Sequence, residues 1–143
     1  MDNDSTRCYT KKVSDRSKDS ARVFKTAWFT KAPRKALIDD EELCKAIRQV
    51  MLGQADDLGG GVYKKRLGKN LYRSIILARG GRYWVYEYLF AKKDRENITR
   101  GELAEFREVA AIYSQKADAD IAIELKLKTL LEICHGNEAQ IQK

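Results

Sequence analysis

The sequence predicts an α+β fold: a small antiparallel sheet with two N-terminal helices packed on one face, followed by C-terminal helices. Three observations lead to this prediction. The chain has 143 residues, and 43% of them are hydrophobic, which suffices for one domain with a packed core. Several stretches of strand length are rich in Tyr, Val, Ile and Trp. Others repeat apolar residues at helical spacing.

The composition divides the chain into one domain and two tails. Residues 1–20 carry five basic and four acidic residues with few apolar groups, so they cannot bury enough surface to offset the entropy of ordering. We therefore expect a disordered polar tail at 1–21, one domain at 22–134 and a C-terminal tail at 135–143.

The sequence also bears on the compartment in which the protein acts. It contains neither an apolar stretch long enough to span a bilayer nor a signal-peptide core, which predicts a cytoplasmic protein without a membrane partner. Cys8, Cys44 and Cys134 are odd in number, far apart and without a CxxC pair. We interpret them as reduced, incidental thiols rather than as a disulfide framework or a zinc site.

The first half of the domain reads as a strand followed by two helices. Arg22–Phe29 combines β-branched and aromatic residues, which favours a strand. A short helix should run from Lys31 to Ile38, with Pro33 in its first turn. The acidic run 39–42 then caps a second amphipathic helix, which ends near Gly53. Gly59–Gly61 lacks the spacing of a phosphate loop and is interpreted as a flexible connection.

The second half reads as strands followed by helices. Strands are predicted over residues 62–67, 71–79 and 82–91, with Gly80–Gly81 closing an antiparallel hairpin between the last two. Thr99 and Glu102 have capping-box spacing, so a third helix should run to about Lys116. Residues 121–134 fit both a strand and a helix, and we favour a helix followed by a short strand or extended end.

The segment from Gly61 to Lys93 is strongly basic, with nine Lys or Arg residues against one acid, Glu87. Seven of the 13 aromatic residues lie in the same segment. Since side chains alternate between the faces of a strand, cations should gather on the face or rims that the helices leave open. Cations interleaved with rings suit splayed, single-stranded RNA. The alternative is a solvated sheet face whose rings belong to the core, and Glu87 is either a base, solvent-facing or paired with an arginine.

Motifs of the common hydrolases are missing from the sequence. It contains no HExxH, no GxSxG and one histidine, His135, which we interpret as a surface residue of the C-terminal tail. Metal hydrolysis and triad chemistry are therefore not expected, and no cofactor is implied. A DNA-binding regulator is disfavoured as well, because no helix carries exposed basic residues at base-reading spacing.

Three motifs resemble a known toxin family. They are Gly61-Val-Tyr-Lys-Lys-Arg-Leu67, Tyr72-Arg73-Ser-Ile-Ile, and Tyr88-Leu-Phe-Ala-Lys-Lys-Asp-Arg-Glu-Asn-Ile98 leading into Glu102-Leu103. Together they resemble the RelE and HigB-like toxins of type II toxin–antitoxin modules, over roughly residues 23–117. The resemblance implies a RelE-like fold and a small endoribonuclease that cleaves messenger RNA, commonly on the ribosome, and is silenced by a cognate antitoxin.

The resemblance also assigns roles to residues of this chain. It implies that Arg73 is the active-site arginine, Lys93 the basic residue after the Phe-x-Lys element, and Lys65 or Arg66 the basic residue of the preceding strand. Further basic side chains are expected to bind RNA: Lys64, Lys69, Arg79, Arg82, Lys92 and Arg95.

RNA cleavage can proceed on such a site without histidine or metal. The substrate carries its own nucleophile, the 2′-OH, so the protein must align it, stabilise extra negative charge and move two protons. Arg73 and Arg66 could clamp the phosphate. Lys65 or Lys93, surrounded by like charges, could transfer a proton. The alternative function is that of a ParE-like toxin, which inhibits DNA gyrase without cutting RNA and would rely on the helical hairpin of residues 31–58.

Overall fold

The computed structural model describes residues 21–134, and at residues 33–35 it describes the backbone alone. The predicted N-terminal tail, except Ala21, and the predicted C-terminal tail with His135 lie outside the described residues. The described part has six strands and four helices, which confirms the α+β class. In chain order they are β1 (Arg22–Thr26), α1 (Ala27–Ala36), α2 (Asp40–Met51), β2 (Asp56–Gly59), β3 (Val62–Leu67), β4 (Tyr72–Leu77), β5 (Tyr83–Ala91), α3 (Arg100–Ser114), α4 (Asp118–Leu127) and β6 (Leu130–Ile133). Among these four helices, none is both long and apolar enough to cross a membrane.

The strands form one mixed sheet in the order β2-β3-β4-β5-β1-β6. The prediction of a purely antiparallel sheet is wrong at one pair, because β1 runs parallel to β5 with Arg22 opposite Tyr83. All other neighbours are antiparallel, including the predicted β4–β5 hairpin. The first strand therefore lies inside the sheet, between β5 and the last strand.

The boundary between β1 and α1 differs from the prediction. The strand ends at Thr26, whose hydroxyl oxygen accepts a hydrogen bond from the backbone N–H of Phe29 at 3.1 Å. Such a threonine cap starts a helix, so Trp28 and Phe29 are helical rather than extended. Pro33 consequently lies inside α1 rather than in its first turn, and that prediction is wrong.

Side-chain caps begin α2 and α3 as the sequence suggests, Asp39 at α2 and Thr99 at α3, with one difference. Asp39 accepts from the backbone N–H of Glu42 at 2.9 Å, but the Glu42 carboxylate accepts from the backbone N–H of Gly68 at 2.6 Å. This bond ties α2 to the turn between β3 and β4. The capping box of Thr99 and Glu102 is confirmed, with both of its reciprocal bonds formed.

A tight turn replaces the flexible connection that the sequence predicted at Gly59–Gly61. The segment before it forms β2, which pairs with β3 as an antiparallel hairpin. Gly60 has a φ of +66°, and a Cβ atom there would lie 2.7 Å from the Cγ of Arg107. The guanidinium of Arg107 donates to the carbonyl of Leu58 at 2.6 Å, so α3 holds this turn in place.

Two hydrophobic clusters flank the sheet. In the first, helical residues such as Phe29, Leu43 and Ile47 pack with Ile76 and Tyr86 of the sheet. The second combines residues of α3 and α4 with the opposite face of the same strands: Phe24, Ile75, Val85, Ala110 and Ile121. Helices therefore contribute to the core on both faces of the sheet. The basic side chains lie at the rims of the sheet, which the helices do not cover.

A disulfide joins Cys44 of α2 to Cys134, the residue that follows β6. Their Cα atoms are 5.3 Å apart across a sequence separation of 90 residues. The interpretation of these two cysteines as incidental thiols is wrong, because the fold brings the end of the last strand against α2. Cys8 lies outside the described residues.

Candidate functional site

The turn between β3 and β4 sets the geometry of the site. The backbone N–H of Leu71 donates to the carbonyl of Gly68 at 3.1 Å, and both central residues have positive φ, +54° at Lys69 and +71° at Asn70. These are the features of a type I′ turn, whose twist matches that of a hairpin. The turn fixes the register so that Arg66 lies directly opposite Arg73.

Arg66 and Arg73 form the centre of the site. As opposed residues of an antiparallel pair they share one face of the sheet, with Cβ atoms about 5 Å apart. Arg66 is exposed, whereas one guanidinium nitrogen of Arg73 donates to the carbonyls of Asn70 and Tyr72, each at 3.1 Å. Within residues 21–134 neither arginine forms an ion pair with a carboxylate. Two facing cations without a counterion are suited to bind an anion between them.

An aromatic ring and a lysine adjoin the arginine pair on the same face. Phe90 of β5 lies directly opposite Arg73 on its other side. Lys64 precedes Arg66 by two residues, so its side chain points to the same face. Its ammonium lies 3.8 Å from the carboxylate of Asp56. Three cations and one ring therefore share this face across three strands, so cations and a ring lie together as the sequence pattern indicated.

Lys65 lies apart from Arg66, although the two are adjacent in sequence. Its side chain points to the opposite face, where its ammonium donates to the carbonyl of Gln54 at 2.9 Å. Burial, and secondarily the charge of Arg66, lower the pKa of Lys65. Of the two residues that the sequence left open for one role, Arg66 is the one that faces Arg73.

Arg95 is held by its own ion pair. Its guanidinium binds the Glu102 carboxylate through two hydrogen bonds of 2.5 and 3.2 Å and lies over the ring of Phe90, 5.5 Å from the centroid. The bond from Arg95, together with that from the backbone of Thr99, lowers the pKa of Glu102 to about 2. The ion pair of Arg95 with Glu102 therefore connects the turn after β5 to the start of α3.

The turn after β5 brings further lysines to the same end of the sheet. The backbone N–H of Lys92 donates to the carbonyl of Leu71 at 2.9 Å, which places this turn beside the β3–β4 turn. Lys69, Lys92 and Lys93 are all exposed. We define the basic end of the sheet as the group that this arrangement collects: Lys64, Arg66, Lys69, Arg73, Lys92 and Lys93.

Arg79 and Arg82 lie at the opposite end of the β4–β5 hairpin. Arg79 follows Arg73 by six residues, which corresponds to about 20 Å along a strand. Arg82 forms an ion pair with Asp118 at 2.9 Å and lies over the ring of Tyr83. The structure therefore does not bring these two arginines together with the basic end of the sheet.

Glu87 lies at an irregularity in the pairing of β5 with β4. It is partly buried and forms no ion pair with an arginine among the described residues, so the interpretation as an arginine-paired side chain is wrong. One of its carboxylate oxygens is buried and has no hydrogen-bond partner among the described residues. Burial, and secondarily the carboxylate of Glu124, raise the pKa of Glu87. Its environment therefore favours the protonated acid.

Trp28 is a site feature that the sequence analysis missed. Its ring stacks on that of Tyr88, with centroids 5.1 Å apart and planes inclined by 24°, and the residue is still 51% exposed. The two rings form part of the wall of a cavity of about 620 Å³ that also reaches Phe90 and Lys93. The available signal was Thr26, since a helix capped there places Trp28 in its first turn rather than in a strand.

Comparison with known proteins gives a match to a protein family. A family model described as the RelE toxin of the RelE / RelB toxin-antitoxin system matches residues 21–133. This range contains all ten elements of the fold and the whole basic end of the sheet. No curated protein matches the chain.

Proposed function

The chain belongs to the RelE toxin family of toxin–antitoxin systems, and on that premise we propose that it is an endoribonuclease that cleaves messenger RNA on the ribosome and so inhibits translation. The family implies a cognate antitoxin as a partner. Action on translating ribosomes would place the toxin in the cytoplasm.

One observation carries the proposal. Arg66 and Arg73 face each other across the β3–β4 hairpin without a carboxylate partner within the described part of the chain. Like charges directly opposed on a sheet destabilise it, so this arrangement has a cost in the free protein. An RNA phosphate between the two guanidinium groups would offset that cost, because arginine binds phosphate through paired hydrogen bonds.

The reaction that we propose uses the ribose 2′-OH as nucleophile and needs no metal. The 2′-oxygen attacks the adjacent phosphorus and the bond to the 5′-oxygen breaks, which leaves a 2′,3′-cyclic phosphate and a free 5′-OH. Arg73 and Arg66 would stabilise the extra negative charge of the transition state, where preorganised donors contribute most.

The two proton transfers require groups other than these arginines. We assign one to Lys93, which is exposed and belongs to the basic end of the sheet. Lys65 is less suited to this role, because its ammonium is engaged with Gln54 on the opposite face. Lys64, Lys69 and Lys92 would hold the phosphates of neighbouring nucleotides.

The test is cleavage by an Arg73→Lys variant under single-turnover conditions with saturating, programmed ribosomes. Lysine keeps the charge and loses the planar fork, so we expect the rate to fall by roughly 10²-fold or more. Arg48→Lys on the exposed side of α2 serves as the matched control, and its rate should equal that of the wild type. Thermal melts of all three proteins exclude unfolding.

Two outcomes would contradict the proposal. Folded Arg73→Lys protein that cleaves at the wild-type rate would remove Arg73 from the active site. Intact messenger RNA combined with loss of gyrase supercoiling activity, assayed in parallel, would favour the non-nucleolytic ParE-like alternative.

A further inference from the structure

The cavity beside Trp28 results from the way in which β1 ends. Pairing of β1 with β5 stops at Lys25 and Tyr86, after which the chain turns into α1. The rest of β5 therefore faces α1 rather than another strand on that side. The helix contributes small residues, Ala32 and Ala36, to the cavity, which leaves about 620 Å³ open between helix and strand. This volume falls within the usual range of small-molecule sites.

Stacked aromatic rings form one wall of the cavity. Tyr88 contacts Trp28 on one side and both Phe90 and Phe106 on others, with centroids 6.0 Å away, so its ring is held in place. Trp28 covers this ring and remains half exposed. A large flat ring with an open face is suited to stack on a planar ligand.

Positively charged side chains lie on both sides of the same cavity. Lys31 of α1 and Lys93 after β5 line it and are exposed, and neither forms an ion pair with another described residue. Arg95 is the third cation of the lining, and its charge is neutralised by an ion pair with Glu102. The lining contains one acidic residue, Asp94. The ligand that fits a flat apolar wall between two lysines is a planar ring attached to an anionic group, as in a nucleotide.

The cavity is adjacent to the arginine pair through Phe90. Phe90 lines it and is also the residue directly opposite Arg73 in the β4–β5 register. Opposed residues of an antiparallel pair have Cβ atoms about 5 Å apart. A nucleotide whose phosphate lies at Arg73 therefore has the cavity within reach of its base.

We propose that this cavity binds one base of single-stranded RNA, stacked on Trp28, next to the phosphate held by Arg66 and Arg73. The inference rests on the proposed function for the nature of the ligand. It adds a base site, formed by Trp28, Tyr88, Lys31 and Lys93, to what is otherwise a phosphate site. Sequence preference in cleavage would then arise partly at Trp28.

Trp28 itself can report on this site. The chain has two tryptophans, so Trp84→Phe leaves Trp28 as the sole tryptophan, whose emission can be excited apart from that of the tyrosines. We expect its fluorescence to be quenched by a 2′-O-methyl RNA trinucleotide, which cannot be cleaved because the nucleophile is blocked. If Trp84→Phe destabilises the fold, the difference in fluorescence between wild type and Trp28→Phe isolates the same signal.

The second readout is the affinity for the same 2′-O-methyl trinucleotide carrying a fluorescent label, which does not depend on Trp28 for detection. Loss of one stacked base should weaken binding of Trp28→Ala by roughly 5- to 100-fold, whereas Trp28→Phe should retain most of the affinity. Ile112→Ala is the matched control, because Ile112 is similarly exposed on α3, at 56%, and lies outside the cavity lining. Its affinity should equal that of the wild type.

The outcomes separate this proposal from the proposed function. Unchanged Trp28 fluorescence together with wild-type affinity of Trp28→Ala would overturn the base site even if Arg73→Lys abolishes cleavage. Quenching by the trinucleotide, combined with no cleavage of messenger RNA by the wild-type protein on programmed ribosomes, would support the base site and contradict the nuclease. Failure of the trinucleotide to bind, or quenching by an antitoxin peptide and not by RNA, would overturn the base site.

Discussion

Arg66 and Arg73 lie directly opposite each other on neighbouring strands, and within residues 21–134 no carboxylate neutralises either guanidinium. The type I′ turn at Lys69 and Asn70 leaves the pair no alternative register. A position that costs stability in the free protein is expected where a ligand supplies the missing charge. Stability and RNA binding should therefore respond in opposite directions to changes at this pair.

Arg66→Thr should make the protein more stable and bind RNA less tightly. The substitution removes a cross-strand repulsion and introduces a good strand former, which together should raise the free energy of unfolding by about 0.2–1 kcal/mol. Denaturant unfolding and RNA titration measure the two effects. A less stable variant with wild-type RNA affinity would show that Arg66 serves the fold rather than the ligand.

Lys69→Ala and Arg79→Ala should differ in their effect on the salt dependence of RNA binding. Lys69 belongs to the basic end of the sheet, so its loss should reduce the slope of log K against log salt by about one contact. Arg79 lies about 20 Å away along the strand direction and should have the smaller effect. Equal effects at both positions would indicate that RNA covers the whole length of the β4–β5 hairpin. Lys126→Ala on α4 controls for net charge.

Glu87→Gln should stabilise the protein at neutral pH. Burial raises the pKa of Glu87 above its ordinary value, so the folded state holds the proton more tightly than the unfolded state does. The corresponding stability is present at low pH and is lost as pH rises above about 4.5, the ordinary pKa of glutamate. Glutamine is neutral at every pH. The difference in melting temperature between variant and wild type should therefore grow from pH 4 to pH 8, and a constant difference would contradict the assigned cause.

Reduction of the Cys44–Cys134 disulfide should lower the free energy of unfolding by about 2–4 kcal/mol, because the bond closes a loop of 90 residues in the unfolded chain. Guanidinium unfolding with and without reductant measures the change. The Cys44→Ala/Cys134→Ala protein serves as the control and should be insensitive to reductant. A wild-type protein that is equally insensitive would show that the bond does not form in solution.

Local sequence patterns predicted the elements whose cause is local. The sequence predicts α2 from its apolar spacing and acidic cap, and α3 from its capping box. It predicts strands β3 to β5 from their aromatic and β-branched residues. Asp56–Gly59 was missed because it lacks strand-forming residues and becomes β2 through its backbone pairing with β3. The aromatic and β-branched composition of residues 22–29 predicts a strand that includes Trp28, whereas the hydrogen bond to the Thr26 side chain starts a helix there.

Features formed between distant segments could not be read from the sequence. The parallel pairing of β1 with β5 and the Cys44–Cys134 bond both depend on topology, which residue patterns do not encode. The basic residues of the site were recognised as a group. Their division between the two ends of the sheet, and the separation of Lys65 from Arg66, depend on register and strand alternation.

The interior position of β1 also bears on the order in which the protein is made. Its partner on one side, β5, begins at Tyr83, about 60 residues later, and its other partner, β6, follows after about 110. At 5–20 residues per second, synthesis takes about 3–12 s to reach β5 from β1. Through that interval Val23 and Phe24 lack the strands beside which they are buried. A growing chain thus cannot close its sheet until almost all of the domain, residues 22–133, has been translated.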